Sequence, residues 1–262
     1  MVEIKTVALS RSGMEYISFG QGPRTLVLVP GMSLRSVMLQ KDAVAAVYAP
    51  FHNLYTVYMF DRIKDIPYGY SIQDMAVDTA EAMVKLGISD ADMIGYSQGG
   101  MIAMKLAAEH PELVHKLILG STSACPGEYS RDLISGWSVI ASEGNVRKLN
   151  ADMFSHIYSA AYRDKYSDAF EFLANIGSPE EMERLSILAA ACVTHDARSL
   201  LPDIKCPVFV ICSREDDVFP YSDSEYLAGA LGCKLFIYDG YGHAVYDEAP
   251  DFKSRMLGFL TE

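Results

Sequence analysis

No run in this chain approaches the roughly 20 apolar residues a membrane-spanning helix needs; its most apolar stretches, such as residues 25–29 and 208–212, are far shorter. Positive charge is scarce: 22 Lys and Arg stand against 34 Asp and Glu, a formal net charge of −12. Such a surface repels polyphosphates and anionic headgroups, so neither nucleic acid nor a membrane is expected as a partner. Cysteine is limited to Cys125, Cys192, Cys206, Cys212 and Cys233, with no C-x-x-C pair, and reduced thiols are expected. There is no H-x-x-E-H, no Cys/His cluster and no acidic calcium loop, so neither metal nor cofactor is expected. The first 20 residues lack a basic segment followed by an apolar core, the mark of a secretory signal, and a soluble cytoplasmic protein is expected. No feature points to a particular protein partner.

The chain has 262 residues, half of them hydrophobic, enough for one large α/β domain. Strands are expected at residues 2–8, 14–20, 25–29, 54–60, 92–95 and 117–120. Helices are expected at 36–47, from Ser71 to Gly87, and at 100–109. Ser71 and Asp74 have the spacing of a capping box, and Ile72, Met75, Thr79, Met83 and Leu86 recur at helical spacing behind them. Residues 25–29 and 54–60 are apolar on both faces, as the interior of a parallel sheet requires. After residue 120 the alternation stops, and residues 121–200 show helical patterning only. It resumes with a strand at 208–212, a helix near 222–231, a strand at 234–238 and a helix near 250–260. The expectation is a mainly parallel sheet with helices on both faces, made by residues 1–120 and 201–262, with residues 121–200 inserted as a helical cap.

Gly95-Tyr96-Ser97-Gln98-Gly99 fits G-x-S-x-G at an expected strand-to-helix junction. A chain that turns so sharply crowds the positions two either side of its centre, which explains Gly95 and Gly99, and it lifts the Ser97 hydroxyl to a helix N-terminus. The pattern is weak alone, since a glycine-rich turn also serves to pack a helix closely. Its place at the junction makes Ser97 a candidate nucleophile.

A serine nucleophile needs a base. His110 and His115 belong to the far end of the sheet, His52 precedes a strand, and His156 and His195 fall in the helical insertion, where a surface or structural role is the ordinary one. His243 lies in the loop after the strand at 234–238, at the carboxyl edge where open α/β sheets place their sites. The orienting acid should leave the preceding strand. There the chain offers Glu215, Asp216 and Asp217 in succession, and a solvated turn would look the same.

Taken together these residues resemble the α/β-hydrolase superfamily, whose members order the triad Ser…Asp…His. The likeness extends over residues 26–32, 86–100, 203–208 and Gly242-His243 with Glu248 and Pro250. It is strongest to the small cofactor-free members with a helical cap. The resemblance implies an eight-stranded, mainly parallel sheet. The family's G-x-x-D-x-x-x-P pattern falls on Ser213, Asp216 and Pro220, which favours Asp216 over Asp217 as the acid. It also implies an oxyanion hole from the backbone N–H groups of Met32 and Gln98. Pro30 stands where many members have His, and Asp61-Arg62-Ile63-Lys64 begins like a family loop but lacks its glycines.

The implied activity is hydrolysis of a small or medium carboxylic ester through an acyl-enzyme on Ser97. Trp137, Met153, Phe154 and Tyr158 are candidate pocket residues, although cap packing explains them as well. The same triad also serves C–C bond hydrolases, lactonases, thioesterases and acyltransferases. Some relatives instead are small-ligand receptors that retain a slow triad, a different class of function.

Overall fold

The side chains of β3 (Arg24–Val29) dictate the layering. Leu26 and Leu28 belong to the apolar cluster on one face of the sheet, and Val27 and Val29 to the cluster on the other. A strand of this kind must be covered on both sides. The computed structural model, which describes residues 1–262, shows that cover. β1 (Ile4–Ala8), β2 (Gly13–Phe19), β4 (Tyr55–Ile63), β5 (Ala91–Tyr96), β6 (Val114–Gly120), β7 (Val208–Ser213) and β8 (Lys234–Tyr238) join β3 in one sheet of order β1-β2-β4-β3-β5-β6-β7-β8. Only the β1–β2 and β2–β4 pairs are antiparallel. The expected eight-stranded, mainly parallel α/β sheet is therefore present.

The same alternation recurs across the sheet. Ile94, Ile118 and Ile211 pack with α1 (Lys41–Val47) and α11 (Phe252–Thr261), whose Ala45, Phe252, Met256 and Leu260 share their cluster. Met93, Leu117, Leu119 and Val210 pack with α2 (Ile72–Lys85), α3 (Gln98–Glu109) and α9 (Tyr221–Leu231). At the start of α2, Ser71 and Asp74 form the capping box, and Gly87 ends the segment at φ +69°.

Between β6 and β7 the chain makes α4 (Glu128–Ser142), α5 (Val146–Ile157), α6 (Ala160–Lys165), α7 (Ser167–Ala174) and α8 (Pro179–Val193), with no strand. Ile134, Trp137, Leu149, Met153 and Leu185 of these helices belong to the same apolar cluster as α2 and α3. The insertion thus shares its core with the sheet.

The chain leaves β3 for β4 on one side and returns to β5 on the other. The carboxyl ends of β3 and β5 therefore flank the crevice where open sheets of this kind bind ligands. Residues 30–32 and Ser97 lie there.

Several element boundaries differ from the sequence-based expectation, among them the start of β6, at Val114 rather than near residue 117, and three that bear on the site. β4 does not end near residue 60 but continues to Ile63, because Asp61 and Arg62 are buried and Ile63 pairs with Met14 of β2. α3 begins at Gln98, directly after Ser97, rather than at Gly100. The last helical stretch is divided: a short α10 (Val245–Glu248) precedes α11, and Pro250 separates them.

Candidate active site

Ser97 stands between β5 and α3 with φ +51° and ψ −123°, a left-handed conformation that costs a non-glycine residue about 1–3 kcal/mol. The surroundings enforce it. A Cβ on Gly95 would sit 2.5 Å from the Gly99 carbonyl oxygen, and one on Gly99 only 1.9 Å from that of Val29. A Cβ on Gly100 would meet Thr122 Cγ2 at 2.6 Å. These glycines press the start of α3 against β3 and β6. The Ser97 N–H donates to the Gly120 carbonyl, and Thr122 Oγ1 donates to the Ser97 carbonyl at 2.7 Å.

His243 is 3% and Asp216 6% exposed. The imidazole Nδ1 lies 2.9 Å from both Asp216 carboxylate oxygens. Asp216 Oδ1 also accepts the backbone N–H groups of Val218 and Phe219, each at 2.9 Å, which fixes the carboxylate independently of the histidine. The neighbouring acids point to other partners. Asp217 accepts from Tyr129 Oη at 2.6 Å and lies 2.6 Å from His156 Nδ1, and Glu215 accepts the Gly240 N–H. Of the three acids offered by the sequence, only Asp216 meets the imidazole of His243.

Ser97 and His243 line one small cavity of about 30 Å³, together with Gly31, Met32, Trp137 and Cys192. Their side chains are not hydrogen-bonded to each other, a looseness common in sites without substrate. The His243 loop is clamped by the helical insertion. Ala244 N–H donates to the Ile157 carbonyl, and Glu248 accepts both Gly242 N–H and Ser159 N–H. A Cβ on Gly242 would lie 2.7 Å from the Ile157 oxygen, so the glycine before His243 is what lets the insertion approach.

The N–H of Met32 is given to no acceptor in the protein. Gln98, at the first position of α3, has no intrahelical acceptor for its own N–H. Beneath these two amides lies a polar network that sequence reasoning missed. Arg62, buried at the end of β4, donates from Nη2 to the Pro30 carbonyl at 2.8 Å and to Gln98 Oε1 at 3.0 Å. Gln98 Nε2 donates to the Leu188 carbonyl of α8. Asp61 accepts from Ser36 Oγ, from the Arg62 N–H and from Arg184 Nη2 of α8. One guanidinium thus spans the residue before Gly31-Met32 and the side chain of Gln98. The departure of residues 61–64 from the family's glycine-rich loop was the available signal. Its meaning depends on contacts with distant segments.

A larger cavity of about 380 Å³ adjoins this site, sharing Gly31, Met32, Met153, Ile157 and Tyr246 with the smaller one. Met153, Phe154 and Tyr158 line the larger cavity, while Trp137 and Met153 line the smaller. A further depression, of about 460 Å³ around Met1, Phe19 and His52, contains none of these residues.

Of the other histidines, His115 is paired with buried Asp92, and His156 with Asp217. His195, after α8, is buried with neither ring nitrogen hydrogen-bonded. Desolvation, reinforced by Lys105, pushes its imidazole down to about 4. An unfolded histidine takes up its proton near pH 6.5, so the folded state resists a proton that the unfolded state accepts. Stability should therefore be intact above about pH 6.5 and decline as the pH falls to about 4, by on the order of 3 kcal/mol from this group. Urea unfolding of His195→Leu at a series of pH values should show a decline smaller by that amount. An unchanged decline would contradict the assignment.

A sequence profile of the alpha/beta hydrolase family matches residues 26–252. The sheet and elbow define an α/β hydrolase, and the chain belongs to that family. Among its relatives is a protein of Serratia proteamaculans provisionally named carbamate hydrolase RutD, 28% identical with 75% of each chain covered. Another is the 2-hydroxy-6-oxononadienedioate/2-hydroxy-6-oxononatrienedioate hydrolase of a Pseudomonas species, 30% identical over 68% of this chain and 66% of that one. The crystal structure of MGS-M2, an alpha/beta hydrolase enzyme from a deep-sea metagenome library, superposes with a TM-score of 0.89 at 23% identity, covering 98% of each chain. No helix of the protein is long and apolar enough to cross a membrane.

Proposed function

We propose that the protein is a serine hydrolase that cleaves carboxylic esters of small or medium acyl groups through an acyl-enzyme on Ser97, with His243 as base, Asp216 as its orienting acid and residues 121–200 as a cap over the site. The observation that supports this most is the Asp216–His243 pair sharing one small cavity with a hydroxyl held at positive φ.

In this reading His243 takes the proton of Ser97 Oγ as that oxygen attacks the ester carbonyl. The new oxyanion accepts hydrogen bonds from the N–H groups of Met32 and Gln98, fixed donors of a kind worth about 3 kcal/mol each. As the intermediate collapses, His243 gives its proton to the departing alkoxide and an acyl-Ser97 ester remains. Water, deprotonated by His243, attacks that ester and releases the carboxylic acid and the Ser97 hydroxyl. Asp216 holds Nδ1–H and stabilises the imidazolium in both halves. Arg62 acts through others: by gripping Pro30 and Gln98 it positions both oxyanion donors.

The cavity speaks for an acyl chain. Its walls are mostly apolar, among them Leu28, Val44, Val47, Met59 and Phe154, and its 380 Å³ is far more than a bare carbamoyl group fills. A fluorophosphonate should label one serine per chain, Ser97, and abolish p-nitrophenyl butyrate turnover in proportion. Turnover that survives complete labelling would sink the proposal. A single slow turnover per chain would favour the receptor reading instead.

A further inference from the structure

The acyl cavity is not hydrocarbon throughout. Asp247 of α10 and Lys253 of α11 both line it, next to a cluster of tyrosines. The hydroxyls of Tyr48 and Tyr96 are hydrogen-bonded at 2.7 Å and Tyr96 Oη also donates to Met256 Sδ at 3.2 Å; Tyr246 stacks on Tyr96 at 4.5 Å, and Lys253 Nζ lies 5.4 Å from the centre of the Tyr48 ring. The two ionic groups are far less occupied. Lys253 Nζ donates only to the Tyr246 carbonyl, leaving two N–H donors, and no carboxylate lies within salt-bridge distance of it. Asp247 receives one long hydrogen bond, from Tyr158 Oη at 3.3 Å. It is exposed and lines the cavity. Surrounding protein raises the Asp247 carboxyl above its ordinary range and brings the Lys253 ammonium down to about 8.

Each class of acyl chain meets this wall differently. A plain alkyl chain covers both groups and satisfies neither, which is costly for charged side chains. A carboxylate-ended chain suits Lys253 but is repelled by Asp247, and an ammonium-ended chain reverses the conflict. A neutral end that both donates and accepts satisfies the pair, its carbonyl oxygen accepting from Lys253 Nζ and its N–H donating to the Asp247 carboxylate. We propose that Asp247 and Lys253 form a specificity subsite for an acyl chain ending in a primary amide or ureido group. The proposal deepens the ester-hydrolase reading above and rests on it for the acyl bond.

The test compares kcat/KM for p-nitrophenyl hexanoate with its counterparts ending in carboxamide, carboxylate and ammonium. The carboxamide ester should exceed the hexanoate by about tenfold and also exceed both charged esters. In Lys253→Met and in Asp247→Ala the ratio of carboxamide to alkyl ester should fall towards one. Preference for the alkyl or a charged ester, or a ratio that neither variant moves, would overturn the subsite. If none of the four esters is cleaved, the ester reading itself has failed. Calorimetric binding of hexanamide then decides the subsite separately: about tenfold weaker binding in both variants upholds it, and unchanged binding refutes it.

Discussion

Replacing Ser97 by alanine is expected to lower kcat for p-nitrophenyl esters by roughly 10⁵–10⁶-fold, with the fold and thermal stability preserved. The substitution removes only the hydroxyl oxygen. The crowded backbone, set by Gly95, Gly99 and Gly100 against β3 and β6, does not change. Binding of substrate and the amides of Met32 and Gln98 proposed to hold the oxyanion would remain, so a small residual rate over water is part of the expectation. Ser97→Gly should be equally inactive yet more stable by about 1 kcal/mol, because glycine adopts φ +51° without strain. An alanine variant with near-normal turnover would remove Ser97 from the chemistry. A glycine variant less stable than the parent would show that the elbow is not strained.

The second large effect separates two adjacent acids. Asp216→Asn should reduce kcat by about 10⁴-fold, since an amide at that position favours the wrong imidazole tautomer and no longer stabilises the imidazolium. Asp217→Asn should cost less than about tenfold, because that carboxylate faces Tyr129 and His156 of the helical insertion rather than His243. Both variants are nearly isosteric, so circular dichroism should find them folded. Comparable losses from the two, or a larger loss from the second, would contradict the assignment.

These expectations differ in how far they could be read from sequence. The sheet was legible because its signal is local: the two-faced apolar strands β3 and β4 and the capping box at Ser71 need no distant partner to be recognised. The elbow was legible for a related reason, since its G-x-S-x-G pattern is complete within five residues, although the backbone that crowds Gly99 is that of Val29 in β3. His243 followed from its place after β8. The acid did not, because Glu215, Asp216 and Asp217 are locally equivalent. The family's pattern of spacing favoured Asp216, and the coordinates add the physical difference, two backbone amides and an imidazole converging on one carboxylate.

What stayed hidden is long-range. Arg62 is separated by more than thirty residues from Gln98, and Arg184 by more than a hundred from Asp61, so no window of sequence shows that they meet. The same holds for the clamp of Ile157 and Ser159 on the His243 loop, and for Asp247 and Lys253 facing a cavity that helices of the insertion complete. The sequence places the end of β4 too early, near residue 60, because a strand that buries an Asp-Arg pair looks, in sequence, like a strand that has reached solvent.

Acyl transfer through Ser97 is seen most plainly in the mass of the Ser97 peptide from enzyme quenched in acid during turnover of p-nitrophenyl butyrate. A butyryl group is expected on Ser97, absent from the Ser97→Ala variant and discharged when quenching is delayed until substrate is exhausted. Turnover with that peptide unmodified throughout, or with the acyl group on another residue, would contradict it.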